Sequence, residues 1–194
     1  MILNIPEPYR SIKDLPYDAE SWLGPTNAYF LDKFIKDRPI HVAVEIGSWI
    51  GSSARFIASR LQENGILYAV DSWLGTPEAN ILLQDPRLPH LFQLFLSNIK
   101  YAGLTHKVVP VRMYSVMAAQ ILDIKADLIY IDAAHDYQNV LDDIMAWHPH
   151  LTQGGVMCGD DWSLYEGVSK AVLQAAKELN VKVYGVDNFW WFEP

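Results

Sequence analysis

The chain has 194 residues, which fits one domain, or one domain with a short accessory segment. Its 51% hydrophobic and 20% charged residues lie near the globular average, and no apolar run is long enough to cross a bilayer. A formal net charge of −8 argues against a broad phosphate-binding face, so we expect no nucleic acid and no membrane as a partner. A single cysteine excludes an internal disulfide, and the chain does not begin like a secretion signal, so we expect a cytoplasmic protein.

Helical and strand patterns alternate along most of the chain. After a proline-rich start, the spacing of apolar residues predicts a leading helix over 27–36. Short apolar runs predict strands at 42–46, 67–71, 108–111, 128–132, 156–158 and 181–184. Amphipathic stripes predict helices around 54–61, 88–99, 141–148 and 168–179. The aromatic run 189–192 predicts a last strand that pairs antiparallel with the strand at 181–184.

This alternation is typical of βαβ units with helices on both faces of a sheet. The sequence therefore predicts an α/β fold with a doubly wound, mostly parallel seven-stranded sheet whose last strand is antiparallel. Residues 1–40 are predicted to form an N-terminal segment with the leading helix, and residues 41–194 the main domain.

A glycine loop, residues 47–52, follows the first strand and precedes a helix. The chain reads Glu45-x-Gly47-x-x-x-Gly51 here, and the free amides at a helix start favour a carboxylate or phosphate. A dinucleotide fingerprint needs glycine where Trp49 stands, which disfavours pyrophosphate and a nucleotide-dependent oxidoreductase. The spacing instead resembles the first motif of class I S-adenosylmethionine-dependent methyltransferases, which have a Rossmann-like fold.

That resemblance implies a set of cofactor-binding residues. In the loop they are Gly47, Ser48, Gly51 and Ser52. Glu45 would lie near the amino group or sulfonium of the cofactor, and the competing interpretation is a buried structural acid. Ser115, just past the third strand, lies where family members commonly contact the adenine base, or else it is a helix N-cap.

Asp71 closes the second predicted strand. An acid at this place can accept both ribose hydroxyls of an adenosine, and the alternative is a loop or helix-cap acid. Ser72 and Trp73 follow directly and could flank the adenine. The insert 73–89, rich in proline and leucine, would be a lid or a wall of the acceptor site.

Three aspartates follow two further strands that should be neighbours. Asp132 ends one strand, and the pair Asp160 and Asp161 follows the next. Carboxylates this close need a cation or a proton, and oxygen ligands suit a hard ion, with Mg²⁺ first and Mn²⁺ or Ca²⁺ behind it. The alternative for Asp160 and Asp161 is that they cap the helix predicted to begin near Leu164.

His135 lies three residues after Asp132, at the top of the same strand. A histidine there can act as a general base on a hydroxyl group, and the alternative is a satisfied surface or cap residue. His148, His150 and Cys158 are interpreted as structural.

Both groups of motifs together resemble the metal-dependent O-methyltransferases of macrolide-sugar and cephalosporin biosynthesis. In that group a strand ends Asp-x-x-His, a helix follows, and then come Gly-Gly and an acidic pair. Here these are Asp132, His135, Gly154, Gly155, Asp160 and Asp161. The resemblance implies that the three aspartates bind a metal, that Asp132 also approaches the cofactor, and that His135 is the base.

The leading hypothesis is therefore S-adenosylmethionine-dependent, metal-assisted O-methylation of a small hydroxylated acceptor, a sugar or a natural product. One alternative keeps the cofactor without the metal and methylates nitrogen or carbon. Another is a non-catalytic S-adenosylmethionine-binding protein of the same fold. Trp22 and Tyr29 could line the acceptor pocket or a contact in a homo-oligomer, although plain packing is the commoner role of such residues.

Overall fold

The computed structural model describes residues 5–75 and 84–193. Seven strands form one sheet in the order β3-β2-β1-β4-β5-β7-β6. They are β1 (Val42–Ile46), β2 (Ile66–Asp71), β3 (Val108–Arg112), β4 (Ala126–Ile131), β5 (Leu151–Gly159), β6 (Val183–Val186) and β7 (Phe189–Phe192). The doubly wound α/β fold predicted from the sequence is confirmed, and most strand bounds differ from the predicted ones by a few residues.

Helices cover both faces of the sheet. They are α1 (Pro25–Asp37), α2 (Ser52–Arg60), α3 (Leu91–Tyr101), α4 (Ser115–Ile121), α5 (Tyr137–Trp147) and α6 (Glu166–Leu179). The first three pack in one apolar cluster and the last three in another. Apolar side chains at helical spacing produce these two layers, because each helix buries one stripe against the sheet.

The strand order reverses beside β1, which lies between β2 and β4. All three strands are parallel, with Val44 aligned to Tyr68 on one side and to Ile129 on the other. In open α/β sheets the crevice beyond the carboxyl ends at such a reversal is where ligands bind. The glycine loop and Asp132 follow β1 and β4 at this edge.

The aromatic strand β7 lies between β5 and β6 and is antiparallel to both. Its pairing with β6 confirms the predicted antiparallel partner, whereas its insertion next to β5 does not follow from the sequence pattern. Gly159 of β5 permits the approach of β7, because a Cβ there would lie 2.6 Å from the ring of Trp190.

The N-terminal segment packs against the main domain. The Tyr9 hydroxyl donates to the carbonyl oxygen of Val108 at 2.8 Å, and the amide of Leu15 donates to Ser97 Oγ at 3.0 Å. The division at residue 40 stays a prediction. Part of the predicted lid, residues 76–83, lies outside the described residues. Across the described part of the chain, no helix has the length and apolar character needed to span a membrane.

Candidate functional site

The glycine loop connects β1 to α2 at the carboxyl edge of the sheet. Gly47 has a φ of 85°, and a Cβ there would lie 2.0 Å from the carbonyl oxygen of Asp132. Gly51, the N-cap of α2, has a φ of 86°. The absence of a side chain at Gly47 therefore lets the chain after β1 touch the chain after β4.

The carboxylate of Asp71 holds the glycine loop in place. Its Oδ2 accepts hydrogen bonds from the amides of Ser48 and Trp49, both at 2.9 Å. Its Oδ1 accepts from the amide of Trp73 at 2.6 Å. Burial raises the pKa of Asp71, and the amide bonds oppose that rise. Asp71 is thus a loop-binding acid, and its contact with a ribose stays a prediction.

Glu45 is fully buried beneath the same loop. Its Oε2 accepts a short hydrogen bond from the hydroxyl of Ser48. No described residue lies at hydrogen-bond distance from Oε1, although the Ser53 hydroxyl is near enough to lower the pKa. Burial outweighs both hydroxyls and raises the pKa of Glu45 to about 7. The burial matches the structural interpretation, and a contact with the cofactor stays a prediction.

The predicted metal ligands, Asp132, Asp160 and Asp161, follow the neighbouring strands β4 and β5. Burial raises the pKa of Asp132 well above its ordinary value, and the charges of Asp160 and Asp161 raise it further. Burial also raises the pKa of Asp160. Within residues 5–75 and 84–193, no three His, Cys, Asp or Glu side chains are arranged to hold a metal ion. The carboxyl groups interact, and their role as metal ligands stays a prediction.

Asn27 joins this acidic group from α1. Its Nδ2 donates to the hydroxyl of Tyr130 at 3.1 Å, and that hydroxyl lies 3.4 Å from Oδ2 of Asp132. A hydrogen bond from Asn27 also lowers the pKa of Asp160. Asn27 and Tyr130 were not predicted as site residues from the sequence. The available signal was a polar residue at the buried start of an otherwise apolar helix face.

His135 meets Asp161 across the loops that follow β4 and β5. Nε2 of His135 lies 3.0 Å from Oδ2 of Asp161, and the imidazole stacks on the Tyr165 ring with centroids 4.1 Å apart. The N-cap of α5 is Asp136, whose side chain accepts the amides of Gln138 and Asn139. His135 is therefore not the cap of that helix, and its role as a base stays a prediction.

Helix capping was the alternative role of Asp160 and Asp161. The helix α6 begins at Glu166, and its N-cap Tyr165 makes no side-chain cap bond. Asp161 has a φ of 66°, and its carbonyl oxygen accepts the amides of Leu164 and Tyr165 in a turn. The described contacts of the two carboxyl groups are thus not those of a helix cap.

The residues proposed to surround adenine have other contacts in this structure. Trp73 is buried against Phe92 and Phe95, and its indole Nε1 donates to the carbonyl oxygen of Trp49 at 2.8 Å. Ser72 Oγ accepts the amide of Leu74 at 3.2 Å. The Ser115 hydroxyl accepts the indole N–H of Trp147 at 2.8 Å, and Tyr114 is the N-cap of α4. Their contacts with a base stay predictions.

The N-terminal segment covers the outer side of the glycine loop. Trp22 stacks on Trp49 with ring centroids 5.3 Å apart, and Ser21 Oγ lies 2.5 Å from Ser52 Oγ. Arg87 pairs with Asp18 and Glu20 and lies 5.6 Å from the centroid of the Trp49 ring. The packing of the N-terminal segment on the glycine loop was not predicted either, because the residues in contact are far apart in the sequence.

Cys158 and His150 are two of the residues that the sequence pattern indicates to be structural. Cys158 is fully buried in β5. His150 contacts the carbonyl oxygen of Ile124 at 3.0 Å, at the opposite edge of the sheet from the glycine loop.

A model of a methyltransferase domain matches residues 44–162. That match covers more than half of the chain and includes the glycine loop, Asp71, His135 and the three aspartates. The chain belongs to this methyltransferase-domain family. None of the curated proteins matches it by sequence.

Solved O-methyltransferase structures resemble this methyltransferase domain. NovP has a TM-score of 0.71 and 15% identity, with 93% of this chain and 84% of NovP covered. TomG from Streptomyces achromogenes has a TM-score of 0.67 and 15% identity, with 87% of this chain and 79% of TomG covered. TomG is involved in tomaymycin synthesis and was solved with S-adenosylmethionine. An O-methyltransferase from Bacillus cereus in complex with S-adenosylhomocysteine has a TM-score of 0.65 and 18% identity, with 90% of this chain and 83% of that enzyme covered. At these identities the likeness shows the fold alone.

Proposed function

We propose that this methyltransferase domain transfers the methyl group of S-adenosylmethionine to a hydroxyl group of a small acceptor, a sugar or a natural product. The observation that carries the proposal is that two groups of residues lie at one edge of the sheet. One is the glycine loop with Asp71, and the other is His135 with Asp161. Structural neighbours solved with S-adenosylmethionine or S-adenosylhomocysteine support the choice of cofactor.

The glycine loop and its two acids are the proposed cofactor site. Oδ2 of Asp71 already accepts two loop amides, whereas Oδ1 accepts the amide of Trp73. A carboxylate oxygen has two lone pairs, so Oδ1 is the atom that we expect to accept a ribose hydroxyl. The buried Oε1 of Glu45, with no described partner at hydrogen-bond distance, fits an amino group of the cofactor.

His135 is the proposed base. An ionised Asp161 only accepts hydrogen bonds, so Nε2 of His135 donates to it and Nδ1 keeps the lone pair. In the transfer, the acceptor O–H bond breaks and its proton goes to Nδ1. The electron pair left on the acceptor oxygen forms the bond to the methyl carbon as the sulfonium–carbon bond breaks, which leaves S-adenosylhomocysteine.

We propose Mg²⁺, or another hard divalent cation, as an additional cofactor held by Asp132, Asp160 and Asp161. The donor type fits, because carboxylate oxygens are the ligands that such ions prefer. Burial and then the charges of Asp160 and Asp161 raise the pKa of Asp132, and a bound cation would relieve that repulsion. When bound, such an ion would polarise the acceptor hydroxyl and ease its deprotonation. The lack of an assembled metal group among the described residues favours the alternative, a metal-independent methyltransferase.

The decisive experiment incubates the protein with labelled S-adenosylmethionine and a library of hydroxylated acceptors, with and without divalent ions. Label transferred to an acceptor oxygen supports the proposal, and label on nitrogen or carbon contradicts O-methylation. Cofactor binding by calorimetry without transfer to any acceptor would favour a non-catalytic binding protein.

The metal is tested separately. If the three aspartates hold an ion, a chelator abolishes transfer, added Mg²⁺ restores it, and cofactor affinity persists. Asp132→Asn, Asp160→Asn and Asp161→Asn should each lose turnover without lowering the melting temperature. The matched control is Asp142→Asn on the exposed face of α5. Transfer that is insensitive to chelator would establish the metal-independent alternative.

A further inference from the structure

A cavity of about 230 Å³ opens beside the candidate site. It lies between the start of α1 and the turn that joins β6 to β7. Side chains that line it include Trp22, Thr26, Asn27, Asp160, Asp187 and Asn188. The volume suits a small ring or a sugar unit rather than a large ligand.

The cavity has one wall residue in the acidic group and another that packs on the glycine loop. Asp160 lies in its wall and belongs to the interacting aspartates. Trp22 lies in the wall as well and stacks on Trp49 of the glycine loop. An acceptor in the cavity would therefore contact Asp160 of the acidic group and Trp22, which packs on the glycine loop.

The ionisable side chains in the described lining of the cavity are all acidic. Asp160 and Asp187 contribute carboxyl groups, and no Lys, Arg or His is found among the described residues of the lining. The hydroxyl of Thr26 donates to Oδ2 of Asp187 at 2.7 Å, which fixes that carboxylate at the wall. Without a bound cation, a carboxylate or phosphate entering here meets like charge and no positively charged partner, which opposes binding.

We propose that this cavity is the acceptor pocket and that it selects uncharged or cationic hydroxylated acceptors against anionic ones, with Asp187 as a specificity-determining residue. The inference rests on the proposed methyl transfer, which it deepens by naming the charge class of the acceptor. Asp187 acts on binding through its charge, and the proton transfer remains with His135.

The experiment uses three glycosides that share a ring and an aglycone and differ in charge. Phenyl glucoside is uncharged, phenyl glucosaminide is cationic and phenyl glucuronide is anionic. Their affinities are measured by calorimetry with protein saturated with S-adenosylhomocysteine, at low and high salt. The variants are Asp187→Asn and Asp187→Lys. The matched control is Glu63→Gln, which changes the net charge by as much as Asp187→Asn does, in the exposed loop before β2 at the other edge of the sheet.

In the unchanged protein, glucuronide should bind weakest, and salt should reduce the discrimination because it screens exposed charges. Asp187→Asn should improve the affinity for glucuronide by roughly five- to tenfold, and Asp187→Lys should make glucuronide the preferred ligand. Glu63→Gln should leave the affinities for all three glycosides unchanged. Glucuronide binding equal to that of glucoside overturns the inference, as does an equal response to Glu63→Gln. So does a failure of all three to bind at millimolar concentration. A protein that binds no S-adenosylhomocysteine contradicts the proposed function instead.

Discussion

Nε2 of His135 lies 3.0 Å from Oδ2 of Asp161, so side chains of the loops that follow β4 and β5 are in contact. The imidazole is further fixed by stacking on Tyr165, with ring planes 6° apart. Gly167 permits this approach, because a Cβ there would lie 2.4 Å from the carbonyl oxygen of His135. A ring held by a carboxylate on one nitrogen presents the other nitrogen in a defined direction.

His135→Ala should lower turnover by roughly a hundredfold or more while cofactor affinity stays near normal, because the base acts on the acceptor and not on the cofactor. Single-turnover kinetics and calorimetry measure the two quantities. The control is His150→Ala, which removes a histidine at the opposite edge of the sheet. An active His135→Ala enzyme with an unchanged pH profile would assign the proton transfer to another group.

Asp71→Ala should weaken cofactor binding by about 1.5 to 3 kcal/mol, because it removes a charged hydrogen bond to the ribose and releases the loop amides. Asp127→Ala is the matched control. Asp127 also binds backbone amides, those of His41 and Val42 at 2.8 and 3.0 Å, but it lies at the amino end of β4. Both variants should lose stability in denaturant unfolding, and unchanged cofactor affinity in Asp71→Ala would refute the ribose role.

Gly47→Ala should destabilise the fold more than Gly103→Ala by about 2 kcal/mol or more. Both glycines have positive φ, 85° and 71°, so alanine is strained at either position. The Cβ at position 47 would meet a backbone oxygen at 2.0 Å, whereas the Cβ at 103 meets nothing within 4 Å. Urea unfolding measures both variants, and equal losses would contradict the close approach of the chain after β1 to that after β4.

Asp143 of α5 should make stability fall as pH rises from about 4 to about 6. Burial raises its pKa from 3.8 to about 6, whereas bonding to Ser115 lowers it. The unfolded chain therefore releases this proton at lower pH than the folded chain does, so the folded state is favoured below that range and loses the advantage above it. The change is up to about 3 kcal/mol.

Asp143→Asn should abolish that contribution, and its stability relative to the unchanged protein should be greater at pH about 7 than at pH about 4. Urea unfolding across this range gives the difference. Asp142→Asn, at an exposed neighbouring position on the same helix, is the control. Parallel stability curves for Asp143→Asn and the unchanged protein would contradict the buried carboxyl effect.

Local patterns in the sequence predict the alternation of strands and helices and the place of the acids at strand ends. These features depend on local periodicity and on residues within one turn, as with Gly47 after β1 and Asp71 at the end of β2. Parallel βαβ units then bring the carboxyl ends of the strands to one edge, so the grouping of Asp132 with Asp160 follows from topology.

The side chains that meet across that edge could not be predicted from local patterns and are known from the three-dimensional structure. Asn27 reaches Tyr130, and Thr26 reaches Asp187, over separations of 103 and 161 residues. Trp73 packs in the core against Phe92 and Phe95, and its contact with adenine stays a prediction. The strand β7 enters between β5 and β6, although its aromatic pattern only specifies that it is buried. Such contacts are set by packing between distant elements, and apolar periodicity carries no information about which distant partner an element will face.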